Sequence, residues 1–138
     1  MLAEALVCLA LNVYYEARSQ SIVEQIAVAQ VVINRVNDDR YPDTICEVVK
    51  QGEKNPDGTM KEDRCQFSWY CDGATDKPHN KKSWEIALSV ARSVRDGKTT
   101  DLTEGATHSH AISVNPYWAK TLKRVARIGK HIFYRWEK

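Results

Sequence analysis

The chain has 138 residues, of which 43% are hydrophobic, and its 20 Lys and Arg against 18 Asp and Glu leave a net charge of +2. This length suits one domain, the apolar fraction suffices for a packed core, and the near balance of charge argues against a nucleic-acid-binding protein. No run of about 18 apolar residues is present, which argues against a membrane span. We therefore expect one domain over residues 1–138 that is a monomer, binds no nucleic acid and does not insert into a membrane.

The apolar stretch at residues 5–11 has the length of a signal-peptide core. No Lys or Arg precedes it, Glu4 lies beside it, and no clean small-x-small cleavage site follows. We interpret the stretch as part of a helix of the mature domain. The chain then shows no signal peptide, which predicts a protein that stays cytoplasmic until it is released, or a domain of a secreted protein.

Apolar residues recur with the 3.6-residue period of an α-helix in four segments. The second segment is apolar on most sides, so we expect it at the centre of the core. Its start is marked by Ser21 and Glu24, which have the spacing of a capping box. The spacing predicts helices over residues 3–17, 22–37, 42–51 and 81–96.

Strands are expected only near the C-terminus. Residues 52–64 are polar and include the turn sequence N-P-D-G at 55–58, so we interpret them as a loop. Residues 105–114 are interpreted as an extended strand, 115–122 as a short helical turn, and 125–136 as a hairpin. The sequence therefore predicts a mainly α-helical (α+β) single domain with a small β element near the C-terminus.

The four cysteines do not form a zinc-binding pattern, because no Cys-x-x-Cys motif occurs. Cys8 falls in an apolar helical stretch, and we expect it to be a buried thiol. Cys46, Cys65 and Cys71 lie in loop-like surroundings. One disulfide is expected among these three, with its pairing left open.

Glu16 is the first candidate for a chemical role. It lies at the end of an apolar helix, directly after Tyr14 and Tyr15, so its carboxyl group is expected to be partly desolvated. Desolvation disfavours the charged form and raises the pKa of a carboxyl group. An acid that stays protonated near neutral pH can donate a proton to a leaving oxygen, as glycosidases require. The alternative is a surface carboxylate that pairs with Arg18 or a lysine.

Aromatic, amide and hydroxyl side chains are dense in three short segments. Such side chains bind sugars by ring stacking and hydrogen bonding, although aromatic residues also fill protein cores. We expect Phe67 and Trp84 in the core, and Trp69 and Trp118 nearer to a binding groove. The three segments contain Gln66, Phe67, Ser68, Trp69 and Tyr70, then Asn115, Tyr117 and Trp118, then Tyr134 and Trp136.

His108 and His110 are the third candidate. In an extended segment the two imidazoles share one face, as two metal ligands would. A third ligand would have to come from elsewhere in the chain. We therefore interpret the pair as structural or substrate-contacting residues and expect no metal.

Six blocks in the same order together resemble the SleB-type cell-wall hydrolases, the spore-cortex-lytic family, over nearly the whole chain. They are Y-E-A-R at 15–18 with Q-I-A-V-A at 25–29 and V-I-N-R-V at 32–36; Y-P-D-T-I-C at 41–46; C-Q-F-S-W at 65–69 with C-D-G at 71–73; G-A-T-H-S-H at 105–110; V-N-P-Y-W-A at 114–119; and I-G-K-H-I-F-Y at 128–134. The chain departs from the family pattern in two places. It has S-Q after E-A-R where relatives usually have G-E, and V-E-Q at 23–25 where they have E-G-Q, which moves the acidic position by one residue.

The resemblance implies a lysozyme-like fold and an enzyme that cleaves the glycan strands of peptidoglycan without a cofactor. The bond would be the β-1,4 linkage between N-acetylmuramic acid and N-acetylglucosamine. The family's catalytic acid is the Glu of the E-A-R motif, which is Glu16 here. The residues expected to line the groove are Gln66, Ser68, Trp69, His108, His110, Asn115, Tyr117 and Tyr134.

The reaction type depends on the number of acids in the site. Hydrolysis normally needs a second carboxylate, for which Glu24 and Asp72 are candidates that their spacing does not commit to the site. A lytic transglycosylase needs one Glu, so we expect this reaction rather than that of a hydrolytic muramidase (lysozyme). The alternatives are a non-catalytic peptidoglycan-binding module and a metal-dependent amidase that uses His108 and His110. The missing signal peptide favours a phage endolysin over a bacterial remodelling enzyme.

Overall fold

The computed structural model describes residues 2–74 and 76–138. Among these residues, no helix is long and apolar enough to cross a membrane. Two single turns of 3-10 helix occupy Ser68–Cys71 and Tyr117–Lys120. The α-helices of the described residues are α1 (Glu4–Ala17), α2 (Ile22–Val36), α3 (Ile45–Val49) and α4 (Lys81–Arg95).

The strands form two small antiparallel sheets. Strands β1 (Gly52–Lys54) and β2 (Met60–Cys65) make a hairpin. Strands β3 (His108–Ala111), β4 (Lys123–Ile128) and β5 (His131–Arg135) make a three-stranded sheet in the order β3-β5-β4. Because β5 is the central strand of this sheet, its side chains are the most buried of the three.

Hydroxyl side chains cap α2 and α3. Ser21 Oγ accepts the backbone N–H of Glu24 at 3.2 Å, as the capping-box spacing predicts. Thr44 caps α3 in the same way. Helix α3 therefore begins after Thr44 and is shorter than the helix predicted to start at Pro42.

The main core lies between α1, α2 and α4. Its buried centre includes Leu9, Val13, Val32, Ala87 and Ala91. A smaller second cluster joins the end of α1 and one face of α2 to the three-stranded sheet, through Ala17, Val28, Val31, Ala106 and Phe133. The second cluster thereby fixes the last turn of α1 against the sheet.

The predicted helices and the C-terminal β structure are confirmed, whereas the loop predicted for residues 52–64 is wrong. This segment forms the β1–β2 hairpin. Strand β1 is exposed along its whole length, and β2 is half-buried only at its two ends. An exposed hairpin lacks the alternation of apolar and polar residues by which strands are recognised in a sequence.

Two disulfides connect the elements. Cys8–Cys46 joins α1 to α3, and Cys65–Cys71 closes a short loop after β2. The prediction of a thiol at Cys8 is wrong: the residue is buried, as expected, but it faces α3, which brings Cys46 within bonding distance. The expected disulfide among the other three cysteines is the Cys65–Cys71 pair.

Candidate active site

Glu16 lies in the last turn of α1 and lines a cavity of about 310 Å³. The helix ends at Ala17, and Ser19, with φ of 72°, turns the chain towards α2. The rest of the lining comes from α2, from the loop after β2, from β3 and from the segment that follows β3. These residues are Val31, Arg35, Gln66, Phe67, Ser68, Ser109, His110, Ala111, Val114, Pro116 and Trp118.

Glu16 is half-buried. Burial raises its pKa above the usual value, and the charge of His131 opposes part of this effect. The net result is a raised pKa. Such a group keeps its proton closer to neutral pH than an exposed glutamate does, which is the property required of a general acid.

A buried pair, Glu24 and His131, lies behind the backbone of Glu16. His131 Nδ1 is 2.9 Å from a carboxylate oxygen of Glu24, and His131 Nε2 is 3.3 Å from the backbone carbonyl oxygen of Glu16. The same Glu24 oxygen accepts the backbone N–H of Lys130 at 3.2 Å. Burial alone would raise the pKa of Glu24, but the hydrogen bonds from His131 and Lys130 lower it below its usual value. Glu24 is therefore an ionised side chain that is held outside the cavity.

His110, Trp118 and Tyr134 form an aromatic cluster on one wall. His110 stacks on Tyr134 with ring centroids 5.3 Å apart, and the Trp118 ring meets both rings edge-on. His110 Nδ1 donates to the backbone carbonyl oxygen of Ala111 at 2.8 Å, and its Nε2 lies 2.9 Å from the Tyr134 hydroxyl. Tyr134 is buried and fixes the ring of His110 beside the cavity.

The short loop that the Cys65–Cys71 disulfide closes also lines the cavity. Gln66 and Ser68 are exposed on this loop and line the cavity, whereas Phe67 between them is buried. An amide and a hydroxyl group are thus presented to the groove from a loop that a covalent bond restrains.

Arg35 of α2 also lines the cavity, although it is not among the residues predicted to line the groove. Its side chain is 1% exposed, and its Nε donates to the carbonyl oxygen of Thr107 at 2.6 Å. Its guanidinium group also lies over the rings of Tyr41 and Phe67. Burial lowers the pKa of Arg35 to about 10, so the group is charged at neutral pH. The sequence indicates that Arg35 is buried, because it comes about one helical turn after Val31 on a buried face of α2.

Two further cavities extend the groove, and Gln66 and Trp118 line all three. One, of about 510 Å³, lies between Tyr117 and the β1–β2 hairpin. The other, of about 290 Å³, includes Tyr117 and His108. The groove therefore continues from the cavity of Glu16 past Trp118.

Trp69 lies in the core instead of the predicted groove. It is 7% exposed, its Nε1 donates to Asn12 Oδ1 at 2.8 Å, and its ring stacks on Tyr15 with centroids 5.1 Å apart. The physical reason is Asn12, a polar residue buried on α1, which satisfies the indole N–H inside the core. Nothing in the sequence near Trp69 indicates this distant partner.

The other predicted groove residues fall into three positions. Tyr134 supports His110 from behind, as described above. Asn115 is exposed between Val114 and Pro116, which line the cavity, but it lines neither the cavity of Glu16 nor the two cavities that extend the groove. The predicted residues that line the cavity of Glu16 or its extensions are Gln66, Ser68, His108, His110 and Tyr117.

Among the described residues that line its cavity, Glu16 has the only carboxyl group. Asp72, a candidate for the second acid, is exposed and accepts the backbone N–H of Ala74 at 2.9 Å. Glu24, the other candidate, is bound to His131. The cavity of Glu16 therefore combines one acid with amide, hydroxyl and aromatic groups, whereas Glu53 and Asp63 line the outer cavity beside the β1–β2 hairpin.

His108 and His110 do not form part of a larger cluster of metal-binding groups. Within residues 2–74 and 76–138, no three His, Cys, Asp or Glu side chains lie close enough to hold a metal ion. The Nδ1 of His108 is 2.9 Å from the hydroxyl of Thr107. Burial lowers the pKa of His108 to about 4, and the charges of Arg35 and Arg40 add to this effect. His108 is therefore a neutral group in the groove wall.

The fold and the site define a small α+β domain with one acid at the end of a helix, inside an aromatic groove. Residues 19–134 match the Cell Wall Hydrolase family, and the chain belongs to this family. The resemblance inferred from the sequence is thereby confirmed.

Two solved structures have a similar fold. One is the catalytic domain of the germination-specific lytic transglycosylase SleB from Bacillus anthracis, with a TM-score of 0.67, 24% identity and coverage of 97% of both chains. The other is the catalytic domain of the Bacillus cereus SleB protein, with a TM-score of 0.63, 25% identity, and coverage of 98% of this chain and 93% of that chain. No curated protein matches the sequence. The mainly α-helical (α+β) fold predicted from the sequence is confirmed.

Proposed function

We propose that this protein acts on the bacterial cell wall as a lytic transglycosylase. It would cleave the β-1,4 bond between N-acetylmuramic acid and N-acetylglucosamine in peptidoglycan, with Glu16 as its single catalytic residue. Membership of the Cell Wall Hydrolase family and the similarity to a SleB catalytic domain described as a lytic transglycosylase support this proposal.

The proposal rests mainly on the absence of a second carboxyl group among the described residues that line the cavity of Glu16. Its carboxyl group has a raised pKa and is alone among the described lining residues of its cavity. The match to the family begins at Ser19, after Glu16, so the role of Glu16 rests on this geometry and on the E-A-R motif. A site with one acid suits a reaction in which the same group acts first as acid and then as base.

In the first step, protonated Glu16 donates its proton to the glycosidic oxygen. The bond from this oxygen to C1 of the muramic acid residue breaks, and C1 acquires oxocarbenium character. The acetamido oxygen of the substrate stabilises the cation at C1, a task that a second carboxylate performs in many hydrolases. Glu16 is left as a carboxylate.

In the second step, the Glu16 carboxylate removes the proton from the C6 hydroxyl of the same muramic acid residue. The C6 oxygen forms a bond to C1 and closes a 1,6-anhydro ring. Glu16 regains its proton, and the other product carries a new hydroxyl group on N-acetylglucosamine. No water is consumed, so no group is needed to activate one.

The groove walls would hold the glycan in place. Gln66 and Ser68 can hydrogen-bond to sugar hydroxyl and acetamido groups, and the ring of Trp118 offers a face for stacking. His108 and Tyr117 would contact sugars further along the strand. An extended groove is expected for an enzyme that binds a polymer rather than a single sugar.

The Glu16→Gln variant tests the catalytic role. It keeps the size and polarity of the side chain but cannot donate a proton, so we expect the clearing of a suspension of purified cell walls to slow by about 100-fold or more. Glu85→Gln, at an exposed position on α4, is the matched control and should clear walls at the wild-type rate. Near-normal clearing by Glu16→Gln would rule out the mechanism, and a wild-type protein that binds walls without clearing them would indicate a binding module.

A further inference from the structure

The pair formed by Glu24 and His131 is not explained by the proposed reaction. The two side chains are 5% and 4% exposed, and neither lines the cavity. They join the start of α2 to the start of β5, and through the Glu16 carbonyl they also hold the last turn of α1. Burying such a pair costs solvation energy that apolar residues would not cost, so a role beyond packing is worth testing.

Two hydrogen-bond acceptors lie beside the imidazole of His131. Its Nδ1 faces a carboxylate oxygen, and its Nε2 faces a carbonyl oxygen, and both of these are acceptors. A neutral imidazole has one N–H, so it would leave one nitrogen lone pair directed at an acceptor. Both contacts are satisfied when His131 carries a proton on each nitrogen. The pair is then an ion pair with its positive end next to Glu16.

Gly129 leaves the space that Glu24 occupies. A Cβ atom built at Gly129 would overlap the carboxyl group of Glu24, and the backbone there has φ of +57°. Glycine is the residue that tolerates both conditions. The turn between β4 and β5 therefore closes over the Glu24 carboxylate and holds it against His131.

The charges around Glu16 come from three elements. Helix α2 contributes Glu24 and Arg35, strand β5 contributes His131, and strand β3 contributes the titratable ring of His110. Arg35 is bound to Thr107 and stacked on aromatic rings. His131 is the group whose charge acts on Glu16, and its effect is to lower the pKa of that carboxyl group.

We propose that the Glu24–His131 ion pair is a positioning element for Glu16, which anchors the end of α1 and places a fixed positive charge behind the catalytic carboxyl group. This inference rests on the proposed role of Glu16 as acid and base. The charge stabilises the Glu16 carboxylate that forms when the proton passes to the glycosidic oxygen. Before the reaction, burial favours the protonated form of Glu16. The positive charge of the ion pair opposes this effect, so that Glu16 can release its proton to the glycosidic oxygen.

The test replaces the ion pair with a neutral pair, Glu24→Gln with His131→Gln. Both changes are made together so that no unpaired charge is left buried, and a glutamine amide can still donate to the Glu16 carbonyl. Lys130→Gln is the control, because it removes one positive charge at the neighbouring, exposed position. The measurements are thermal unfolding, kcat/KM on purified cell walls as a function of pH, and a carbon NMR titration of the Glu16 carboxyl group.

We expect the alkaline limb of kcat/KM and the Glu16 titration midpoint to move to higher pH by about half a pH unit or more in the double variant. The control should leave both unchanged. A folded double variant with neither value shifted, or an equal shift in the control, would overturn the proposal. The NMR titration reads Glu16 even if the protein does not cleave cell walls, so failure of the proposed function is distinguishable from failure of this inference.

A second measurement on the wild-type protein applies even if the double variant does not fold. Nitrogen NMR of the imidazole of His131 should show both nitrogens protonated at neutral pH. A spectrum of a neutral ring with one N–H would contradict the ion pair directly and remove the basis of the proposal.

Discussion

At the scale of single residues, the burial that suits Glu16 to its proposed role as an acid also lowers the stability of the fold. Its carboxyl group has a raised pKa because of burial, so the folded state favours its protonated form. Glu16 therefore stabilises the fold fully at a pH below its pKa in the unfolded protein. This stabilisation is lost as the pH rises through its pKa in the folded protein. At neutral pH the group therefore destabilises the fold relative to a neutral side chain.

The Glu16→Gln variant should consequently be more stable than the wild type at neutral pH, by roughly 0.5–2 kcal/mol. The difference should shrink as the pH falls below the ordinary range for a glutamate, because both proteins are then uncharged at this position. Urea unfolding of the two proteins at neutral and acidic pH measures this. A difference that is independent of pH would show that Glu16 is not desolvated in the folded state.

Trp118, like Gln66, lines all three cavities of the groove. Replacing it with Ala removes a stacking face near Glu16, so we expect kcat/KM on cell walls to fall by about tenfold or more, which corresponds to ~1.4 kcal/mol. Tyr117 is 91% exposed and lies in the outer cavities, so Tyr117→Ala should have a smaller effect. Kinetics of both variants on the same substrate measure the difference, and the reverse order would place the binding site elsewhere.

The sequence predicts some site residues better than others. Glu16 and the exposed Gln66 and Ser68 could be chosen from local context, because the end of an apolar helix and a polar–aromatic loop are visible in the sequence. Trp69 could not be placed, because its burial depends on a hydrogen bond to Asn12, which is far away in the chain. Arg35 could be assigned to a buried face of α2 but not to the cavity, because its partners lie on other elements.

At the scale of elements, helices are predictable here because each has a buried face, and α2, α3 and α4 also begin at a capping side chain. The β1–β2 hairpin was not predictable, because no side of it is consistently buried. The disulfide between α1 and α3 was not predictable for a related reason. The apolar setting of Cys8 indicates burial, but the position of Cys46 opposite to it follows from how α3 packs on α1.

The two disulfides should have separable effects. Cys8–Cys46 spans 38 positions and Cys65–Cys71 spans 6, so loop-closure entropy predicts losses of roughly 4 and 2 kcal/mol when each pair is replaced by serines. Cys65–Cys71 restrains the loop that carries Gln66 and Ser68, so its removal should lower kcat/KM even where the protein is fully folded. Urea unfolding and wall-clearing kinetics of the two double variants measure both effects.

If the Cys8→Ser/Cys46→Ser variant loses activity while folded and the Cys65→Ser/Cys71→Ser variant does not, the loop after β2 is not a wall of the substrate groove. The comparison is internal, since each double variant serves as the control for the other.

At the scale of the whole molecule, the site forms where two units of the fold meet. The helical core supplies the end of α1 with Glu16, and the three-stranded sheet supplies His110 and the buried pair partner His131. The second apolar cluster holds the two units together. The sequence resemblance to cell-wall hydrolases indicated the fold and the acid, but the number of acids in the cavity became visible only when the elements were assembled.

The most direct test of the central claim is mass spectrometry of the products that the wild-type protein releases from purified peptidoglycan. A reaction carried out by Glu16 alone, first as acid and then as base, predicts glycan fragments that end in 1,6-anhydro-N-acetylmuramic acid. Fragments that end in an ordinary reducing sugar, with oxygen incorporated from solvent water, would show hydrolysis and contradict the account of a site with one acid.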